Sequence, residues 1–100
     1  MDLDAFRRSL AAEQPPPRLG LAPQALWWDA KGDWRRAHDC AQRDDGPAGS
    51  IVHAYLHRKE GDTSNAGYWY RRAGRAPTAG SLETEWEALA GELATEEKPP

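Results

Sequence analysis

Residues 53–74, HAYLHRKEGDTSNAGYWYRRAG, hold two apolar-periodic segments separated by Gly61-Asp62, and their reading decides the fold. The first segment belongs to a helix over roughly residues 48–60, in which Ile51, Val52, Ala54, Tyr55 and Leu56 fall on one broad apolar arc. In the second, running to about Ala73, the residues Ala66, Trp69, Tyr70 and Ala73 recur at i, i+3, i+4 and i+7. Glycine leaves a helix at positive φ without a steric cost, and aspartate caps the next helix by accepting from its free amides. Gly61-Asp62 therefore reads as the turn of a helical hairpin.

The same unit occurs twice. A shift of 29 residues superposes Lys31-Gly32-Asp33 on Glu60-Gly61-Asp62, Ala25 on Ala54 and Ala37 on Ala66. Small alanines on facing helices allow close approach, and aromatic residues fill the space that remains. Around the repeat, residues 2–13 read as a short helix with Leu3, Phe6 and Leu10 on one side, ended by Pro15-Pro16-Pro17. Pro23 sits in the first turn of a helix through Lys31, and Asp33 caps another reaching about Arg43, where Asp44-Asp45-Gly46-Pro47 breaks it. After a loop over residues 74–80, Ser81 caps a last helix with Leu82, Trp86, Leu89 and Leu93 in a stripe and Glu83 and Glu85 near its positive end. The expected organisation is an N-terminal helix (1–14), a Pro-rich linker (15–22), a helical-hairpin repeat domain (23–94) and a disordered tail (95–100).

Composition supports an all-α fold of five or six short helices. Leu, Ile, Val and Phe number 12 in 100 residues, so the core must draw on 17 Ala and on the five Trp and three Tyr. Ile, Val and Thr total only 6, too few β-branched residues for a sheet. The formal charge of −3 is concentrated in the last 20 residues, and no basic cluster marks a nucleic-acid footprint. The longest apolar run, Ala25 to Trp28, is four residues, against the twenty or so that span a membrane. One cysteine, Cys40, makes no intrachain disulfide, and the acidic start is unlike a secretory leader, so a cytoplasmic location is expected.

The segment NAGYWYRRAG, with Gly32, Asp33, Ala37 and Gly61, Asp62, Ala66, resembles the second helices of tetratricopeptide and Sel1-like repeats. Ala54, Ala66 and Ala73 match the small-residue places of that pattern, whereas Asp44 stands where the first copy should have the last of them. The spacing of 29 is shorter than the 34 of a tetratricopeptide repeat. Residues 53–74 as a whole resemble the core of a family of short, uncharacterised bacterial and fungal proteins. The resemblance implies a helical-hairpin superhelix and singles out His53, His57, Arg58, Glu60 and Asn65 without giving them a role.

Three groups of residues are candidates for a site. His53, His57 and Glu60 lie at i, i+4 and i+7 on one helical face, opposite the apolar arc, where two imidazoles and a carboxylate can approach one metal ion. Ala54 stands where a zincin would need glutamate, and His38 or Cys40 completes a set only if the third helix packs on that same face. The simpler role for both histidines is packing, hydrogen-bonded to Glu60 or to a neighbouring helix. Tyr68, Trp69, Tyr70, Arg71 and Arg72 combine rings with cations as single-strand binders do, yet Trp69 and Tyr70 belong to the buried arc. Arg58 and Arg71 are placed to pair with Glu60 and Asp62. Cys40 and His38, two residues apart, point away from each other on a helix, which removes the obvious nucleophile.

No reaction and no cofactor follow from these patterns. The expected function is a small non-enzymatic interaction module in which Tyr55, Arg58, Lys59 and Arg71 contact a protein or peptide, an acidic one by charge. The alternatives are a metal- or small-ligand-binding protein using His53, His57 and Glu60, and a structural homo-oligomer, because two hairpins leave open ends. Arg58→Glu and His53→Ala are expected to spare folding.

Overall fold

The structure, a computed structural model, describes residues 1–94; the tail expected at 95–100 lies outside them. It is all-α, with α1 (Leu3–Ser9), α2 (Leu21–Ala30), α3 (Trp34–Gln42), α4 (Pro47–Lys59), α5 (Thr63–Arg72) and α6 (Leu82–Leu93). Helices α2 and α3 form one antiparallel hairpin and α4 and α5 the next, while α6 packs on α2 and α4 and α1 packs on α6. No described helix is long and apolar enough to cross a membrane.

At the two Gly-Asp turns the 29-residue repeat holds bond for bond. At the first turn Gly32, with φ 85°, donates to the Asp29 carbonyl and Asp33 to that of Trp28. At the second, Gly61, with φ 89°, donates to Arg58 and Asp62 to His57, the same two acceptors shifted by one repeat. These paired bonds are a Schellman closure, and they satisfy carbonyls that a helix end otherwise leaves free. Each aspartate then turns to the next helix, Asp33 accepting from the Arg36 amide at 3.0 Å and Asp62 from that of Asn65 at 3.1 Å. One dipeptide thus ends a helix and starts its successor.

Asp44, the misfit of the first copy, has a packing role. The α3–α4 connection brings its backbone so close to α4 that a Cβ on Gly49 would lie 2.1 Å from the Asp44 carbonyl oxygen. The Asp44 carboxylate accepts from the Gly46 amide at 2.9 Å and tightens the corner.

Helix α4 is the axis of the molecule, with every residue from Gly49 to His57 buried. The face opposite the apolar arc is therefore enclosed as well. Helices α3 and α5 cover the histidine side, and His53 and His57 are 4% and 6% exposed. The core around α4 is Ala, Leu and aromatic: Trp27, Tyr70, Phe6, Leu26, Ile51, Leu56 and Val52 are its largest fully enclosed side chains. Alanines 25, 37, 54 and 66 are all buried at the hairpin contacts.

Tryptophan indoles fasten the helices by their N–H groups, as buried Trp generally requires. Trp34 donates to the Leu56 carbonyl at 3.0 Å, Trp86 to that of Leu26 at 3.0 Å, and Trp27 to the Ser9 hydroxyl at 3.1 Å. Helix α1 ends at Ser9, earlier than the expected residue 13; Lys31 Nζ donates to the carbonyls of Leu10 and Ala12 beyond it. Helix α2 starts at Leu21, two residues before Pro23, and buried Leu19 seats the Pro-rich segment on the core.

Candidate functional site

Residues 53 and 57 lie on one side of α4 and residues 55 and 59 on the other, because two positions along a helix differ by about 200°. The fold builds a distinct environment on each side.

On the Tyr55 side, α2, α4 and α6 converge with the end of α1 around a cavity of about 600 Å³. Leu10, Ala30, Leu82 and Trp86 give it apolar walls, and Arg7, Asp29, Lys59, Glu83 and Glu87 bring charge to it. Two of the expected contact residues, Tyr55 and Lys59, line this cavity. Both are also tied to Asp29, a carboxylate only 4% exposed: the Tyr55 hydroxyl donates to Oδ2 at 2.7 Å and Lys59 Nζ to Oδ1 at 2.8 Å. Burial, then the hydrogen bond to Asp29, pushes the Tyr55 phenol far above its ordinary range. Arg7 is likewise paired, with Glu87 at 3.0 Å.

Arg58 does not face the cavity's lining. Its guanidinium donates to Glu85 on α6 at 2.8 Å and to the Gly80 carbonyl, so the expected pairing with Glu60 or Asp62 is replaced by a link to the last helix. Glu85 also accepts from the Tyr70 hydroxyl at 2.5 Å, and burial followed by that bond pushes the Tyr70 phenol up to about 12. Arg71 is exposed on α5, apart from the other three expected contact residues.

On the other side of α4, His38 from α3 meets His53 and His57. The Nε2 atoms of His38 and His53 are 3.0 Å apart, and one ligating nitrogen from each of the three rings can be chosen so that all lie within 4.8 Å of one another. Aromatic neighbours fix the ring planes: Trp69 stacks on His53 at 3.9 Å between centroids and Trp34 on His38 at 5.0 Å. His57 Nδ1 donates to Glu60 Oε1 at 2.6 Å, leaving Nε2 as its free nitrogen. Burial first, then the neighbouring His38 and His57, pushes His53 down to about 4; His38 is lowered by burial and by His57. Trp69, half-buried here, is a wall of this cluster, with the Arg72 guanidinium 5.1 Å over its ring.

The third helix therefore does pack on the histidine face, the condition on which a third ligand depended, and it supplies His38. Cys40 is buried in the core, and burial raises its thiol, so no reactive thiolate accompanies it. The sequence signal for His38 is its place one turn after Trp34, beside the stripe that packs α3 on α4. Glu85 carries a similar signal, lying between Leu82 and Leu89 on the apolar face of α6.

No protein-family model matches the chain, and neither a curated protein nor a solved structure matches it significantly.

Proposed function

We propose that this protein is a small non-enzymatic binding module that takes a short apolar segment of a protein partner into the groove between α2, α4 and α6. The observation that supports this reading is the cavity of about 600 Å³ with Leu10, Leu82 and Trp86 on its walls and charged side chains around them. A well-formed apolar recess with a few convergent polar groups is the usual form of a binding site. The resemblance of the hairpins to tetratricopeptide and Sel1-like repeats accords with it, since the fourth helix would face the inner groove of such an array.

One wall of the groove is itself built from such a segment. Helix α1 reaches it through a Pro-rich connection and lays Phe6, fully buried, against Trp86 with ring centroids 5.8 Å apart. The remaining space continues past α1 along Leu10 and Leu82. Because Lys59 and Arg7 are committed to Asp29 and Glu87, we place the affinity in apolar contact rather than in attraction to an acidic peptide.

A random decapeptide library displayed on phage, selected on the wild-type protein and counter-selected on Leu82→Asp, tests this. Enrichment of sequences bearing a large apolar residue, bound by the wild type and not by a folded Leu82→Asp, is expected. Failure to enrich any peptide, or equal binding by the variant, overturns the reading.

A further inference from the structure

The three histidines form a second site, independent of the groove. We infer that His38, His53 and His57 bind one divalent first-row transition-metal ion, with zinc as the representative metal and Glu60 orienting His57 from behind.

Four features support it. The first is convergence: zinc binds imidazole at about 2.0–2.1 Å, so two nitrogens on a tetrahedral ion stand roughly 3.4 Å apart. The His38 and His53 nitrogens, 3.0 Å apart, need to part by a few tenths of an ångström, and the third ring's nitrogen, within 4.8 Å of both, needs to approach by at most about 1.4 Å to surround an ion. The second is orientation. A metal-binding histidine characteristically donates its other ring N–H to a carboxylate, and His57 does so to Glu60 at 2.6 Å.

The third feature is rigidity. His53 and His57 are one turn apart on the most buried helix, and Trp69 and Trp34 stack on the outer two rings at interplanar angles of 14° and 16°. A site held by packed side chains loses little entropy when an ion arrives. The fourth is chemistry. Three nitrogen donors without thiolate suit zinc, copper(II) or nickel(II) over magnesium or calcium. His38 is the one of the three that is not fully buried, which gives an ion its approach from solvent.

The arrangement differs from the trio anticipated from residues 53–60 alone. Glu60 does not share the ion with His53; it holds His57, and the third ligand comes from another helix. Three imidazoles from two helices would tie the first hairpin to the second.

The full-length protein, stripped with a chelator, is titrated with zinc by calorimetry and with cobalt(II) by visible absorption. One equivalent of zinc and a tetrahedral-type cobalt spectrum are expected. His38→Gln should weaken zinc by more than about 100-fold, and Glu60→Gln, which keeps all three nitrogens, by about 10-fold or more. Ring ¹⁵N resonances of the wild type report on the ligands whether or not a variant folds, and all three imidazoles should shift with zinc. Absence of stoichiometric binding, unmoved imidazole resonances, or equal affinity in a folded His38→Gln overturns the inference; the last outcome would place the ion on Glu60 and Asp62 beside His57 instead.

Discussion

Arg58 on α4 and Glu85 on α6 meet at 2.8 Å across 27 residues, with the Glu85 carboxylate 3% exposed. This pair and the Asp29–Lys59 pair each add a tyrosine hydroxyl, so each buried carboxylate accepts two hydrogen bonds, and among the described residues no buried side-chain nitrogen or oxygen lacks a partner.

Removing one side of such a pair leaves a charge in the interior. Arg58→Ala is expected to cost about 3–5 kcal/mol, read as a lower urea midpoint. Arg58→Glu places two carboxylates together and should unfold the domain, which reverses the reading of Arg58 as a surface residue. Adding Glu85→Gln to Arg58→Ala should restore part of the loss, because a neutral amide tolerates burial.

Gly49 is held glycine by the Asp44 backbone. Gly49→Ala would set a Cβ 2.1 Å from the Asp44 carbonyl oxygen, so the α3–α4 connection would have to shift away from α4. A loss of about 1–3 kcal/mol is expected, with the largest amide shifts in chemical-shift maps at residues 44–49.

Gly32 and Gly61 offer a matched comparison. Each has positive φ, and a Cβ on either would meet nothing within 4 Å, so an alanine there is strained by conformation alone. Gly32→Ala and Gly61→Ala should each cost about 1–2 kcal/mol, and thermal melts should show the two losses equal within error. Unequal losses would mean that the turns, though bonded alike, carry different strain.

Acid should destabilise the metal-free protein before its carboxylates titrate. His53 is pushed down to about 4 in the fold against 6.5 unfolded, so between these values the unfolded chain binds more protons. Stability is complete above about pH 6.5 and falls as pH drops towards 4, by on the order of 3 kcal/mol from His53 alone. The lowered His38 adds in the same direction. Urea titrations at a series of pH values check the slope, and His53→Gln should flatten it.

Much of the fold was legible because it rests on local chemistry. Gly32-Asp33, Gly61-Asp62 and Ser81 end and start helices through bonds to residues three to five positions away, and these are visible as sequence patterns. What was not legible depends on which faces meet. The place of His53 and His57 opposite the apolar arc is visible in the sequence, but which helices enclose that face is not. Glu85 was read for its charge near a helix start, and only the arrival of Arg58 and Tyr70 explains its place among Leu82 and Leu89. Of the expected contact residues, Tyr55 and Lys59 reach the groove because they share a side of α4; Arg58, one position before Lys59, does not.

The burial of α4 also changes what kind of object the repeat makes. In an extended array each unit touches only its neighbours, so units can be added or lost and the ends melt first. Here α4 touches α2, α3, α5 and α6, and α6 returns to α2, which closes the stack into a ring of contacts. Such a chain has no seam at which one hairpin can detach while the other stays intact. It should melt in a single cooperative step, and a duplicated hairpin inserted between α3 and α4 would break the ring instead of lengthening the molecule.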